Sequence, residues 1–553
     1  MIKCFSMIQK LVKNKFLNEK PTQSIAAAAL IISLAGVASR LLGLLRDRIL
    51  AGQFGAGDTL DAYYAAFRIP DLIYNLMIVG ALSAAFIPVF TELIAQDEED
   101  EAWKLSSGIL SLQIIITGII SVFLVIFSPQ LMHLVTPGYT GSKFNLTVLL
   151  TRIMFLSPFL LGISGIFGGI LVSFKKFLIY SLAPVFYNLG IIIGAVIFVK
   201  YIGPVGLALG VVLGAVMHML VQFPAVKFSG FHFKLVFSEA FGNPKVRKVL
   251  KLMVPRTLTI AVSQINFTII TIFASTLAAG SLAVFNFANN IQSAPLGLFG
   301  VSFSIAVFPT LSALATQKKT DKFVVAFART FNQISFFVIP LSVFIIVLRA
   351  QTVRLILGSG KFNWDNTILT FQTLGLLAVS LFAQSLLPLL TRAFYALQNT
   401  KTPLYIGIVS EIINLFLVVI LIKNFGVFGL AIAFSISSIV NMVLLMIFLK
   451  KQISNVGGRE IMRATSQIVS ASLVGGAAAQ FGKWLVGTQG ELDTFIAVFV
   501  QFMVASALGA AAFSLVAYYL HIPEFFQFTK SLTRKVFRSK KTIGEDTGEV
   551  SGI

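Results

Sequence analysis

The runs from Ile109 to Phe127 and from Phe495 to Leu520 hold no charged residue and are mostly apolar. Each is longer than the roughly 18 residues that cross a hydrocarbon core of about 30 Å as a helix. Inside a bilayer every backbone N–H and C=O must find its partner within the chain. Such a run therefore crosses as a helix or as a strand of a closed barrel. The strand option is weak, because these runs lack the sustained in-and-out alternation of barrel strands. Composition agrees: 57% of residues are hydrophobic and 12% charged, about half the charged share of a soluble domain. The expected fold class is all-α and polytopic in a membrane.

Fourteen spans are predicted, beginning near Ile25, Leu60, Glu101, Asn145, Phe177, Gly203, Lys248, Ser281, Asp321, Asn366, Thr402, Phe425, Glu460 and Thr494. The links are short, and no soluble domain fits between them. Lysine and arginine collect on alternate links, such as Lys175 and Lys176, residues 227–251, residues 318–322 and residues 450–463. The other links hold few, among them Lys143, Lys361 and Lys483. By the positive-inside rule both termini are cytoplasmic, and the expected location is the bacterial inner membrane. The net charge of +21 is mostly this topology signal, and no nucleic acid is needed to explain it. Residues 1–23 form a basic amphipathic segment expected to lie on the membrane surface, without the features of a cleaved leader. The single cysteine, Cys4, excludes an intrachain disulfide framework and a cysteine metal cluster.

The chain also resembles itself. "VKYIGPVGLALG" at 199–210 aligns with "IKNFGVFGLAIA" at 422–433, an offset of 223 residues. "ALSAAFIPVFTEL" at 81–93 aligns with "SFSIAVFPTLSAL" at 302–314, an offset of 221, with Pro88 on Pro309. Spans 1–6 (residues 24–228, an N-lobe) and spans 7–12 (residues 245–451, a C-lobe) read as two copies of one unit. Six spans per copy is even, so the copies run parallel, related by an axis along the membrane normal, as in transporters. Spans 13 and 14 (residues 460–520) and a basic tail (residues 521–553) stand outside the repeat.

Charge within spans is the functional signal. "ASRLLGLLRDR" at 38–48 places Arg40, Arg46, Asp47 and Arg48 in span 1. A charge at the bilayer centre costs at least about 2.5–3.5 kcal/mol, so such groups face a wet cavity or pair with one another. Arg48 reads as an interfacial arginine that snorkels. Arg40 and Arg46 lie deeper, and guanidinium suits phosphate, which it binds bidentately. Span 2 adds Asp61, Arg68 and Asp71. The second half is more neutral: Asn286, Asn289, Asn290 and Gln292 in span 8, and Arg256, Gln264 and Asn266 in span 7. These amides serve either as glue between helices or as a polar cavity wall. Arg256 is either a topology charge or a cavity cation, and Glu411 in span 11 either a packing carboxyl or an ion site. Four histidines, at 133, 218, 232 and 521, never reach metal-ligand spacing. No phosphate-binding glycine loop precedes a soluble helix. No enzyme, cofactor or metal site is expected.

Several stretches resemble the MurJ (MviN) lipid II flippases, a branch of the MATE-like MOP exporters. They are "SRLLGLLRDRILAGQFGAGDTLDAYYAAFRIPDL", "SFKKFLIYSLAPVFYNLGII" and "RAFYALQNTKTP", with "SQIN" at 263–266 and "GVSFSIAVFPTLS" at 300–312. The resemblance implies a flippase that moves undecaprenyl-diphosphate-linked peptidoglycan precursor between leaflets by alternating access. It implies a central cationic cavity, a groove for the lipid tail near spans 13–14, and cycling driven by membrane potential or an ion gradient. Arg40, Arg46 and Asp47 match the family's span-1 cavity residues, and Asp61 its acidic span-2 residue. Two departures stand out. The middle of span 2 is neutral at Tyr74, Asn75 and Val79, and the family's span-8 arginine falls on Asn289 or Asn290. Arg256, just after Pro255, is the candidate to replace that cation. The expected partners are the lipid-linked glycan and membrane lipid, for a monomer associated with cell-wall synthesis enzymes. Export of another polyprenyl-linked glycan, and a non-transporting scaffold for cell-wall enzymes, stay open as alternatives.

Overall fold

A computed structural model of the chain describes residues 25–76, 86–231, 242–453, 455–488 and 494–530, apart from the side chains of 25–30, 252, 254–256 and 258–263. The predicted segment 1–23, Val79 and the tail beyond 530 lie outside the described residues. Among the described residues every regular element is a helix.

The chain opens with α1 (Ile25–Phe54), α2 (Asp58–Ala66), α3 (Arg68–Tyr74) and α4 (Ile87–Ala95). Then come α5 (Glu99–Ile126), α6 (Ser128–Val135), α7 (Gly141–Met154) and α8 (Leu156–Ser173). Next are α9 (Phe177–Ile193), a wide π turn (Gly194–Phe198), α10 (Val199–Ile202), α11 (Val205–Phe228) and α12 (Pro244–Ser275). After α13 (Ser281–Pro295) and a second π turn (Leu296–Val301) follow α14 (Ser302–Thr316), α15 (Thr320–Val347) and α16 (Arg349–Leu357). The last are α17 (Trp364–Ala378), α18 (Leu381–Ala396), α19 (Lys401–Phe425), α20 (Val427–Ile453), α21 (Gly458–Gly487) and α22 (Phe495–Tyr519).

Among the described residues, nine helices or helix pairs are long and apolar enough to cross a membrane, and ten if α17 and α18, bent by 44°, make one crossing. The other four expected spans fall on α1, on α2 with α3, on α12 and on α21. Span 2 is broken at Phe67, between α2 and α3, with Asp58, Asp61, Arg68 and Asp71 around the break. The N-terminal half of α12 is strongly basic, and α21 is rich in serine, glycine and glutamine.

Local chemistry sets the helix ends. At the end of α1, Gly55 takes a left-handed backbone (φ +65°), and a Cβ there would come within 2.9 Å of the Lys361 carbonyl oxygen. α12 starts at Asn243, whose side chain accepts the Lys245 N–H at 2.8 Å, with Pro244 as first residue.

The duplication is visible in the backbone. α4 and α14 both end on a left-handed residue, Asp97 and Lys318, and each end is closed by the same hydrogen bond: Glu98 N to Leu93 O and Lys319 N to Leu314 O. α8 and α18 end alike, with Lys175 and Gln398 left-handed, Lys176 N bonded to Leu171 O and Asn399 N to Phe394 O. Gly203 and Gly426, 223 residues apart, both have positive φ, and each next glycine of the motif (Gly206, Gly429) donates back to it.

Contacts divide the chain into two compact units. The first comprises Met1–Phe287, Ile356–Leu369 and Asn414–Leu430; the second Ala288–Leu355, Thr370–Ile413 and Ala431–Ile553. The first has a core of Phe86, Phe90, Leu105, Ile166, Phe167 and Val226, with the Trp103 ring among Phe90, Phe174 and Phe231. In it α9 and α11 meet through glycine. A Cβ on Gly190 would fall on the Gly214 backbone, and one on Gly194 on that of Gly210. The second unit has a core of Phe323, Phe327, Leu386, Leu389, Phe394 and Leu449, and a smaller cluster where Ile468 and Ala517 meet Phe336.

Candidate functional site

The span-1 charges are all carried by one continuous helix, α1, which turns different faces to different neighbours. Consecutive residues on a helix point about 100° apart, so neighbours meet only when a side chain is long enough to fold back. Arg46 does so. Its Nη2 lies 2.8 Å from Asp47 Oδ1 and its Nε 3.0 Å from the same oxygen. Its Nη1 donates to Asn188 Oδ1 on α9 at 3.2 Å. The Arg46 side chain is 22% exposed and that of Asp47 3%. The pairing of charges expected within span 1 is thus seen between Arg46 and Asp47.

Sequence reading missed Asn188. Its Nδ2 donates to the Pro184 carbonyl at 3.0 Å and to Ser39 Oγ at 3.3 Å, which turns its Oδ1 toward the guanidinium. The available signal was a proline four residues before an asparagine in an apolar span, which also fits a helix bend.

Arg40 lies six residues before Arg46, about 9 Å nearer the start of α1. It is exposed and lines a cavity of about 500 Å³ inside the first unit. Arg48 has a third setting: its Nη1 donates to the Ile356 carbonyl at 3.3 Å.

Asp61 is 1% exposed and fully engaged. It accepts the Lys143 ammonium at 2.7 Å, the Gly280 N–H at 2.7 Å and the Ala283 N–H at 3.0 Å. It therefore caps the first turn of α13, where free N–H groups and the helix dipole favour a carboxylate. Lys143, read in the sequence as a sparse link charge, also pairs with Asp58 at 2.7 Å. Arg68 donates to Asn286 Oδ1 at 2.8 Å and stands over the Phe267 ring at 5.6 Å.

The remaining candidates are more scattered. Gln264 in α12 is half-buried. The Arg256 side chain lies outside the described residues. Asn289 and Asn290 belong to the second unit, where Asn289 Oδ1 is 3.4 Å from Gln292 Nε2, which also reaches Gln384 Oε1 at 3.3 Å. Glu411, half-buried in α19, is in that unit too. Among the described residues no group of three or more His, Cys, Asp or Glu side chains could hold a metal ion.

The family described as lipid II flippase MurJ matches residues 50–500 of this chain. A probable lipid II flippase MurJ of Rickettsia prowazekii is 30% identical over 431 residues, covering 77% of this chain and 84% of that protein. The solved structure "Lipid II flippase MurJ, inward closed conformation" has a TM-score of 0.72 at 23% identity, covering 89% of this chain and 99% of the other. An inward-facing multidrug-resistance MATE transporter of the MOP superfamily has a TM-score of 0.66 at 17% identity, over 76% of this chain and 96% of its own. Both structures are similar in fold.

Proposed function

The chain belongs to the lipid II flippase MurJ family, and from that premise we propose that it carries undecaprenyl-diphosphate-linked peptidoglycan precursor from the inner to the outer leaflet. The observation that carries this reading is the setting of Arg46. A guanidinium has five N–H donors, and three of its donor contacts go to Asp47 and Asn188. Two N–H groups remain on a side chain that is still partly exposed. Asp47 and Asn188 hold the fork in a fixed pose, so little freedom is lost when a phosphate oxygen docks. Arg40 supplies a second cation on the same helix, at the wall of the cavity.

In the cycle we infer, the headgroup enters from the cytoplasmic side and the diphosphate settles on the α1 arginines. The undecaprenyl tail stays in lipid, and rocking of the two repeats exposes the headgroup outside. Membrane potential or an ion gradient drives the return. Both termini are cytoplasmic in this scheme, and the membrane is the bacterial inner membrane. The protein transports and catalyses no bond change, acting as a monomer alongside cell-wall synthesis enzymes.

The decisive experiment is depletion of the protein followed by leaflet-resolved labelling of lipid II. Accumulation in the inner leaflet is expected, with recovery when the wild-type chain is restored. Unchanged leaflet distribution after depletion would reject the reading.

A further inference from the structure

The cavity beside Arg40 has a polar wall that the diphosphate does not account for. Ser164 on α8 and His218 and Gln222 on α11 line it, with Gly36 of α1 and Tyr180 of α9. Ser164 Oγ is 2.7 Å from His218 Nδ1. Gln222 Nε2 donates to Ser164 Oγ at 2.7 Å and to the His218 carbonyl at 3.1 Å.

Two hydrogen-bonding functions are left over. Gln222 Oε1 is buried and has no partner in the structure. His218 spends Nδ1 on Ser164, so in either neutral tautomer its Nε2 keeps one donor or acceptor function in hand. A buried acceptor left unpaired is destabilising, and most proteins avoid it.

The fold does not require these polar groups. At the offset of 223 residues, Ser164, His218 and Gln222 correspond to Leu387, Asn441 and Leu445. The register is anchored on α11 and α20 by Lys227 and Lys450, and on α8 and α18 by the left-handed ends at Lys175 and Gln398. In the second copy Leu445 is 2% exposed in the apolar core, and Leu387 packs against that core. One copy fills with leucine the places that the other gives to serine and glutamine around a cavity. Only the histidine position stays polar in both.

We propose that this cavity is a glycan subsite that holds a neutral, hydroxyl- and acetamido-bearing sugar of the transported headgroup, read by Ser164, His218 and Gln222. The proposal rests on the flippase reading and deepens it. Among the described residues no carboxylate lines the cavity and Arg40 is its one cation, which suits a neutral group tethered to an anion. The volume of about 500 Å³ lies within the roughly 300–1,000 Å³ of small-molecule sites. An acetamido N–H satisfies Gln222 Oε1, a sugar hydroxyl satisfies His218 Nε2, and the Tyr180 ring offers an apolar face to the sugar's C–H groups.

The test compares two lipids on the full-length protein in nanodiscs, by native mass spectrometry: lipid II, and undecaprenyl diphosphate, which lacks the sugars. The wild type should bind lipid II about tenfold more tightly, the scale of a few neutral hydrogen bonds. Two variants should erase that preference, and the first should also leave undecaprenyl diphosphate binding unchanged. One is Ser164→Val with Gln222→Leu. The other is Gly36→Leu, which adds a side chain at the cavity wall and leaves the polar trio unsubstituted; a Cβ at Gly36 meets nothing within 4 Å. A preference that survives both variants overturns the subsite, as does equal binding of the two lipids by the wild type. Binding of neither lipid rejects the flippase reading, and the subsite with it.

Discussion

Asn188 on α9 accepts a hydrogen bond from Arg46 on α1 at 3.2 Å, across 142 residues of sequence. The amide cannot turn away without giving up its own bonds to Pro184 and Ser39. The pose of the guanidinium is thus set from two sides, by Asp47 on its own helix and by Asn188 on another.

Arg46→Ala should reduce headgroup export by about 10- to 100-fold, the weight of a charge-assisted hydrogen bond, and leave membrane insertion intact. Arg46→Lys should also be impaired, because an ammonium offers a point charge and no planar fork. Export is read by leaflet-resolved labelling at matched protein levels. Normal export by a stably expressed Arg46→Ala protein would remove this arginine from the site.

Asn188 separates positioning from charge. Asn188→Leu frees the guanidinium on one side but keeps the local charge, so undecaprenyl diphosphate binding should weaken only about threefold to tenfold. Asn188→Asp places a second carboxylate against Arg46 and should weaken binding more than leucine does. The reverse order of the two variants would show that Asn188 acts through packing alone.

Asp61→Ala should lower the unfolding midpoint in detergent. It strands the Gly280 and Ala283 N–H groups and takes one of two carboxylates from Lys143. A cost of about 1–3 kcal/mol is expected for each buried donor left unpaired. Asp61→Asn keeps an acceptor and should cost less. An alanine variant as stable as the wild type would mean that solvent replaces the cap.

Gly214→Ala puts a methyl group 2.5 Å from the Tyr187 carbonyl oxygen. Backbone cannot yield as a flexible side chain does, so α9 and α11 must separate. A loss of about 1–3 kcal/mol, typical of overpacking, is expected in thermal unfolding. Gly203→Ala, where no heavy atom lies within 4 Å, serves as the comparison for backbone strain alone, since its φ is +63°.

The helical class, the duplication and the α1 charges were legible because each is local or periodic. An uncharged run announces itself within its own length, and a repeat within its own offset. The partners of those charges were not legible. Lys143 looked like a link charge, yet it pairs with Asp58 and Asp61. Asp61 looked like a cavity acid, yet it caps a helix that begins 220 positions later in the sequence. His218 drew notice only because it could not bind a metal, and its value lies in the serine and glutamine beside it. Such pairings depend on which helices pack together, and nothing within a single span records that.

The glycine contact between α9 and α11 has a mechanical consequence. With no side chain between their backbones, the two helices touch directly and leave no room for a larger residue at the contact. Asn188 lies on the first of these helices, and His218 with Gln222 on the second. The residue that holds Arg46 and the polar wall of the cavity therefore belong to one tightly joined helix pair.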